Sequence, residues 1–191
     1  MKTQKMYRDH SLKQYSDDLG AKLSAPGGGS ASALTACLGA SLISMVVNFT
    51  LGKKKYLKYE EELKTILEKS EKLRKEFLHL VDLDIIAYQS KNLRDALNVP
   101  FMIARLSFEG IKLCPPLIHK GNLNLISDVA SAAVLLESAF ACACFNVEIN
   151  LKLLQDEGLS KEVRKELEIK ESAIKKIRLR TEEKVGKIIR R

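Results

Sequence analysis

Thirty consecutive residues, from Leu23 to Gly52, carry no charge, and any fold the chain adopts must house them. Ala31 to Leu51 alone is long enough to cross a bilayer, which takes about 20 apolar residues. Ser30, Ser32, Thr35, Ser41, Ser44, Asn48 and Thr50 dilute its apolar character, and it lies too far from Met1 for an ordinary signal peptide. A helix that is small or apolar on every side also suits the centre of a bundle or the seam of a dimer. Both readings stand on the residues alone, and the polar interruptions favour the buried one.

The remainder of the chain has helical periodicity. Leu12, Tyr15, Leu19 and Leu23 predict a short amphipathic helix from about Tyr7 to Leu23, ended by Ser24-Ala25-Pro26-Gly27-Gly28-Gly29-Ser30. Ser30 or a glycine then caps a second helix running to about Thr50. After the break Gly52-Lys53-Lys54-Lys55-Tyr56, a seam in steps of four and three through Tyr59, Leu63, Ile66, Ser70, Leu73, Phe77, Leu80, Asp84 and Ala87 predicts one long helix from Tyr56 to Leu97. Pro100 suits the first turn of a helix from Phe101 to Cys114, which Pro115-Pro116 ends. A Gly121-Asn122 loop leads to an apolar helix from Ser127 to Leu154, and Ser160 caps the last helix, Lys161 to Ile189. The fold class is all-α: a single domain over residues 1–191, built as a bundle of about six helices in which a small-residue helix is buried among long antiparallel ones. Ten Gly, four Pro and no alternating strand-length runs exclude a many-stranded β fold.

A net charge of +8 raises nucleic acid or an anionic membrane as partners. Six of those charges belong to Lys161–Arg191, where six Glu are interleaved with twelve Lys and Arg and no aromatic side chain offers a stacking platform. The four cysteines, Cys37, Cys114, Cys142 and Cys144, have neither a disulfide-framework nor a zinc spacing. Buried free thiols in a reducing cytosol fit them better. His10, His79 and His119 show no metal-ligand spacing either, so no metal site is expected.

Several groups stand out chemically. The glycine turn is either a plain helix connection or a nest of amides for an anionic or carbonyl-bearing ligand; it lacks the Gly-Lys-Ser/Thr ending of a nucleotide-binding P-loop. Lys53, Lys54 and Lys55 are either a solvated run or a binding point for a polyanionic tail. Asp84 falls on the apolar seam, while Asp82 points roughly the other way. A carboxylate there must be paired, hydrogen-bonded or protonated, so it is either a structural cap or a general acid/base with a raised pKa. Asp128 and Asn146 are five turns apart on one azimuth, and Asn146 and Asn150 are neighbours at i,i+4 that need partners in an apolar helix.

Five segments together resemble a known family: Ala25-Pro26-Gly27-Gly28-Gly29-Ser30-Ala31-Ser32-Ala33, Asn48-Phe49-Thr50-Leu51-Gly52-Lys53-Lys54-Lys55-Tyr56, Val81-Asp82-Leu83-Asp84 before Ala87-Tyr88, Gly121-Asn122 with Ser127-Asp128, and Phe145-Asn146-Val147-Glu148-Ile149-Asn150-Leu151. In order and over nearly the whole chain, they look like the cyclodeaminase domain of formiminotransferase-cyclodeaminase and the related stand-alone methenyltetrahydrofolate cyclohydrolases. The resemblance implies an all-helical, cytoplasmic, homodimeric folate enzyme, with no membrane or nucleic-acid partner and no permanently bound cofactor. Its substrate would be a tetrahydrofolate derivative, polyglutamylated or not. The family's catalytic aspartate carries over to Asp84, with Asp82 as runner-up. Pro26, Gly27, Gly28, Gly29 and Ser30 would supply backbone donors, Lys53 to Lys55 would attract the glutamate tail, and Asp128 with Asn122 or Asn146 would hold the pterin. The competing class is a non-enzymatic helical module whose basic tail binds nucleic acid or a protein.

Overall fold

The computed structural model describes residues 6–190. Every regular element among them is helical: α1 (Leu12–Gly20), α2 (Gly28–Asn48), α3 (Glu60–Ser90), α4 (Leu93–Ile111), α5 (Cys114–Lys120), α6 (Ile126–Leu154) and α7 (Glu157–Ile189), with 3-10 turns at Tyr7–Asp9, Lys54–Tyr59 and Leu123–Leu125. The count exceeds the expected six by the seven-residue α5.

The uncharged stretch becomes α2, the hub of the bundle. Ala33, Ala36, Ala40, Ile43, Val46 and Val47 are fully buried on it. Ser44 and Ser70 share a hydrogen bond at 2.8 Å near one end of α2, and the Ser30 amide meets Asp84 at the other, so α3 runs antiparallel to α2. Gly28 lies beside Asn146, while the Asn122 amide donates to Thr50 Oγ1 at 2.9 Å, so α6 is antiparallel to α2 as well. One end of the bundle therefore gathers the start of α2 with the ends of α3 and α6. The opposite end gathers Thr50, Lys53–Lys55 and the start of α6. With 1.5 Å of rise per residue, about 30 Å separates the two ends.

Both α2 and the span Leu123–Leu154 are long and apolar enough to cross a membrane. In the most apolar window of α2, 61% of residues are buried within the chain, against 39% for the α6 span. Each keeps apolar side chains at the surface: Leu38 is 51% exposed and Phe145 77%.

Five expectations need correction. The helix predicted from Tyr56 to Leu97 is two helices, because Lys91 turns left-handed (φ 56°) and Asn92 caps α4 by accepting from the Arg94 and Asp95 amides. Pro100 consequently lies inside α4, and Pro115-Pro116 open α5 where they were expected only to end a helix. Asp156, accepting from the Leu159 amide, caps α7 in place of Ser160, which is buried one turn further on. Cys142 is exposed, whereas Cys37 and Cys114 are buried; all four cysteines are free.

The α3–α4 junction makes a stability prediction. Asn92→Ala should cost about 1 kcal/mol by removing the cap. Lys91→Gly should gain up to about 1 kcal/mol by relieving the left-handed residue. Urea unfolding midpoints at constant m value check both.

Candidate functional site

At the end of the bundle where α2 begins, a cleft of about 300 Å³ opens between the glycine turn, α3 and α6. Gly27, Gly28, Asp84, Tyr88, Asn146 and Asn150 are among the residues lining it. Its floor is the first turn of α2. Gly27 is the N-cap and has no side chain to offer the orphan amides, and the first intrahelical bond is Ala31 N–H to Gly27 C=O.

Asp84 supplies the missing cap from another helix. Its Oδ2 accepts the Ser30 amide at 2.9 Å. A Cβ built on Gly29 would collide with both carboxylate oxygens, so Asp84 reaches the helix end only because residue 29 has no side chain. Burial pushes the Asp84 carboxyl above the usual carboxylate range, and the Ser30 amide pulls the other way without overcoming it. The result is a half-buried acid that faces a cleft and exchanges its proton more readily near neutrality than a surface aspartate does.

Behind this turn stands Tyr15 of α1, whose hydroxyl shares a 3.1 Å hydrogen bond with Ser30 Oγ. Burial raises its pKa, the Ser30 bond opposes that, and the charges of Asp84 and Asp82 add to the rise, so Tyr15 stays protonated. Across the cleft, the Asn146 amide group donates to Cys142 O at 2.8 Å, while Asn150 donates to Ala96 O of α4 at 2.7 Å. Asn150 thereby finds the partner its apolar surroundings demand, and Asn146 stands against Gly28 at the cleft wall.

The structure brings together Gly27, Gly28, Gly29, Ser30, Asp84 and Asn146, with the buried Pro26 beside them. Other expected site residues lie elsewhere in the chain. Lys53, Lys54 and Lys55 are exposed at the far end of α2. Asn122 is buried there too: its amide is bound to Thr50 and its side chain to Phe49 O and the Asn124 amide. Asp128 shares an azimuth with Asn146 but stands about 27 Å away along α6. Within one chain these five residues do not reach the cleft. Asp82 is only 4% exposed and is committed to the N-terminal segment, its Oδ1 accepting the Tyr7 amide at 2.6 Å.

Tyr88 and Tyr15 were not singled out from the sequence. Tyr88 follows Asp84 at i+4 and so shares its face, a signal that was available. The pairing of Tyr15 with Ser30 depends on how the chain folds back and had no local signal. Among the described residues, no group of three or more His, Cys, Asp or Glu side chains is placed to hold a metal ion.

Comparison with known proteins adds four findings. The family model described as Formiminotransferase-cyclodeaminase matches residues 11–92 and 89–169. A methenyltetrahydrofolate cyclohydrolase of Methylorubrum extorquens is 35% identical over 186 residues, covering 85% of this chain and 89% of that protein. The formimidoyltransferase-cyclodeaminase of Mus musculus is 31% identical over 78% of this chain, which spans only 32% of that longer protein. The crystal structure of formiminotetrahydrofolate cyclodeaminase from Thermotoga maritima superposes with a TM-score of 0.89 at 30% identity, covering 95% of this chain and 98% of that one.

A substitution at Asp84 tests the electrostatics without any substrate. Because the folded-state pKa is raised, ionised Asp84 opposes folding at pH above that value, and the cost disappears as pH falls below the unfolded value of about 3.9. Asp84→Asn keeps an acceptor for the Ser30 amide and removes the charge. Its Tm should exceed that of the wild type at pH 7 to 8, and the two should converge at low pH.

Proposed function

The chain belongs to the formiminotransferase-cyclodeaminase family, and from that premise we propose that it acts on the one-carbon unit between N5 and N10 of tetrahydrofolate, as a 5-formimidoyltetrahydrofolate cyclodeaminase or a methenyltetrahydrofolate cyclohydrolase. The observation that carries the reading is Asp84: an acid of raised pKa, anchored on an α2 amide and facing a cleft.

In cyclodeamination, N10 attacks the carbon of the formimidoyl group, which enters protonated as its amidinium cation, and the Asp84 carboxylate takes the proton that N10 loses. It returns that proton to the exocyclic nitrogen, which leaves as ammonia as the C–N bond breaks. The product is the 5,10-methenyl cation, and the carboxylate is again an anion beside it. In the hydrolytic direction, the same carboxylate takes a proton from water as the water oxygen bonds to the methenyl carbon. It then gives that proton to N5 as the C–N5 bond breaks, and the carbinol O–H proton leaves to solvent as the formyl C=O forms on N10. The first-turn amides of α2 and the Asn146 side chain hold the folate's polar edge; Asp82 is not the catalytic acid. No permanently bound cofactor enters these steps.

The remote lysines enter the proposal through a second copy. The outward residues of α2 include Leu34, Leu38, Leu42 and Met45, and those of α6 include Val134, Cys142, Phe145 and Ile149. Charged residues are absent from all of α2. An isologous dimer on this face, with its two-fold axis crossing α2 near Leu38, swaps the ends of the bundle between protomers. Lys53–Lys55, Asn122 and Asp128 of one protomer then stand beside the cleft of its partner. The lysines attract a polyglutamate tail there, and Asp128 with Asn122 approaches the pterin. The chain works as one domain, and its free thiols suit the cytoplasm.

The non-enzymatic alternative is not favoured. In the basic last helix, Arg164 pairs with Glu148, Arg178 with Glu137 and Glu182, Lys170 with Glu166 and Lys187 with Glu183. A nucleic-acid surface would instead leave its cations free for phosphates.

Purified protein supplied separately with 5-formimidoyltetrahydrofolate and 5,10-methenyltetrahydrofolate should turn over at least one, followed by absorbance and ammonia release. Asp84→Asn should lower kcat by about 10²- to 10⁴-fold. Turnover of neither substrate by the wild type, or full activity of Asp84→Asn, would refute the proposal. For the shared site, Leu38→Glu should yield monomers, and alanine at Lys53, Lys54 and Lys55 should raise KM more for polyglutamate than for monoglutamate substrate. Mixed dimers of Asp84→Asn with the triple lysine variant should regain one intact site of wild-type KM.

A further inference from the structure

Asp82 is 4% exposed, yet it does not face the cleft. Its Oδ1 accepts the Tyr7 amide, and its Oδ2 has no hydrogen-bond partner and faces Arg8 Nε at 3.8 Å. A buried carboxylate is costly unless something compensates it, and here the compensation comes from a segment 75 residues away in sequence.

That segment continues straight to the site. The Tyr7 hydroxyl donates to Asp18 Oδ2 at 2.9 Å, tying the 3-10 turn to α1. The Tyr7 ring packs edge-on against Tyr15 at 5.6 Å and 87°. Tyr15 shares a hydrogen bond with Ser30 Oγ, and the Ser30 amide holds Asp84. The contacts form a closed circuit: α3 holds the N-terminal strap at Asp82, the strap holds Ser30, and Ser30 holds α3 again at Asp84.

We propose that Asp82 is a positioning residue for the folate reaction, clamping the N-terminal strap so that Tyr15 fixes the Ser30 turn against the Asp84 carboxylate. The proposal rests on the catalytic role of Asp84 given above. It assigns the two aspartates of one helix turn different duties: Asp84 exchanges the proton, and Asp82 keeps the cap that aims it.

Asp82→Ala, Asp82→Asn, Tyr15→Phe and the double variant Asp82→Ala/Tyr15→Phe test it, with limited trypsin digestion as a readout independent of substrate. Arg8, Lys13 and Lys22 provide cleavage sites along the strap. Asp82→Ala should be cut there faster than the wild type while the rest of the chain stays intact. Its kcat should fall on the order of 10²-fold with little change in KM, the signature of a misplaced reacting group. Asp82→Asn keeps an acceptor for the Tyr7 amide and should recover part of the loss. The double variant should be no worse than Asp82→Ala, because both changes break one circuit. Unchanged trypsin sensitivity in Asp82→Ala overturns the clamp. Normal kcat per folded molecule, or losses that multiply in the double variant, overturn the positioning role. If the wild type turns over neither folate, the functional reading fails, and the trypsin comparison still decides the clamp.

Discussion

Two helices compete for the space at residue 29, and the outcome organises the molecule. The Asp84 carboxylate occupies the volume a Cβ on Gly29 would take, and by doing so it caps α2 from α3. One contact thus sets the close approach of two helices, supplies a partner for an otherwise orphan amide, and places an acid where burial holds its proton more tightly than water would. The amide and the positive end of the helix dipole favour the anion, whereas burial favours the neutral form. A group balanced between these opposing forces can change charge during a reaction without large rearrangement of its surroundings.

The antiparallel plan explains why the cleft draws on so many separate parts of the sequence. The start of α2, the end of α3 and the end of α6 meet because each long helix reverses the direction of the last. The same plan sends the opposite ends of those helices, with Lys53–Lys55, Asn122 and Asp128, to the other pole. The uncharged side of α2 joins the two poles and is the seam of the dimer proposed above.

Periodicity in the sequence was enough to identify most of the long helices, the all-α class and the seam carrying Asp84, because apolar spacing reports directly which face of a helix is covered. It reports nothing about which end of the bundle a residue occupies. Asp128 and Asn146 share an azimuth, and only the length of α6 separates them. The junction at Lys91 was equally hidden: the apolar seam runs through it, and a lone left-handed lysine followed by a capping asparagine resembles ordinary helix surface. Asp82 reads in sequence as pointing roughly away from the seam, yet it is buried, because its partners lie in a segment folded back from near the chain's beginning. Contacts of that kind belong to tertiary structure and leave no local trace.

The small-residue composition of α2 has a consequence for order. Burying a long side chain costs rotamer entropy of up to about 2 kcal/mol, whereas glycine and alanine have essentially none to lose. Ala31, Ala33, Ala36 and Ala40 therefore add almost no side-chain entropy cost to ordering the helix beneath the cleft. The stretch with the least to say in charge or bulk thereby offers few alternative side-chain arrangements beneath the Asp84 carboxylate that it holds.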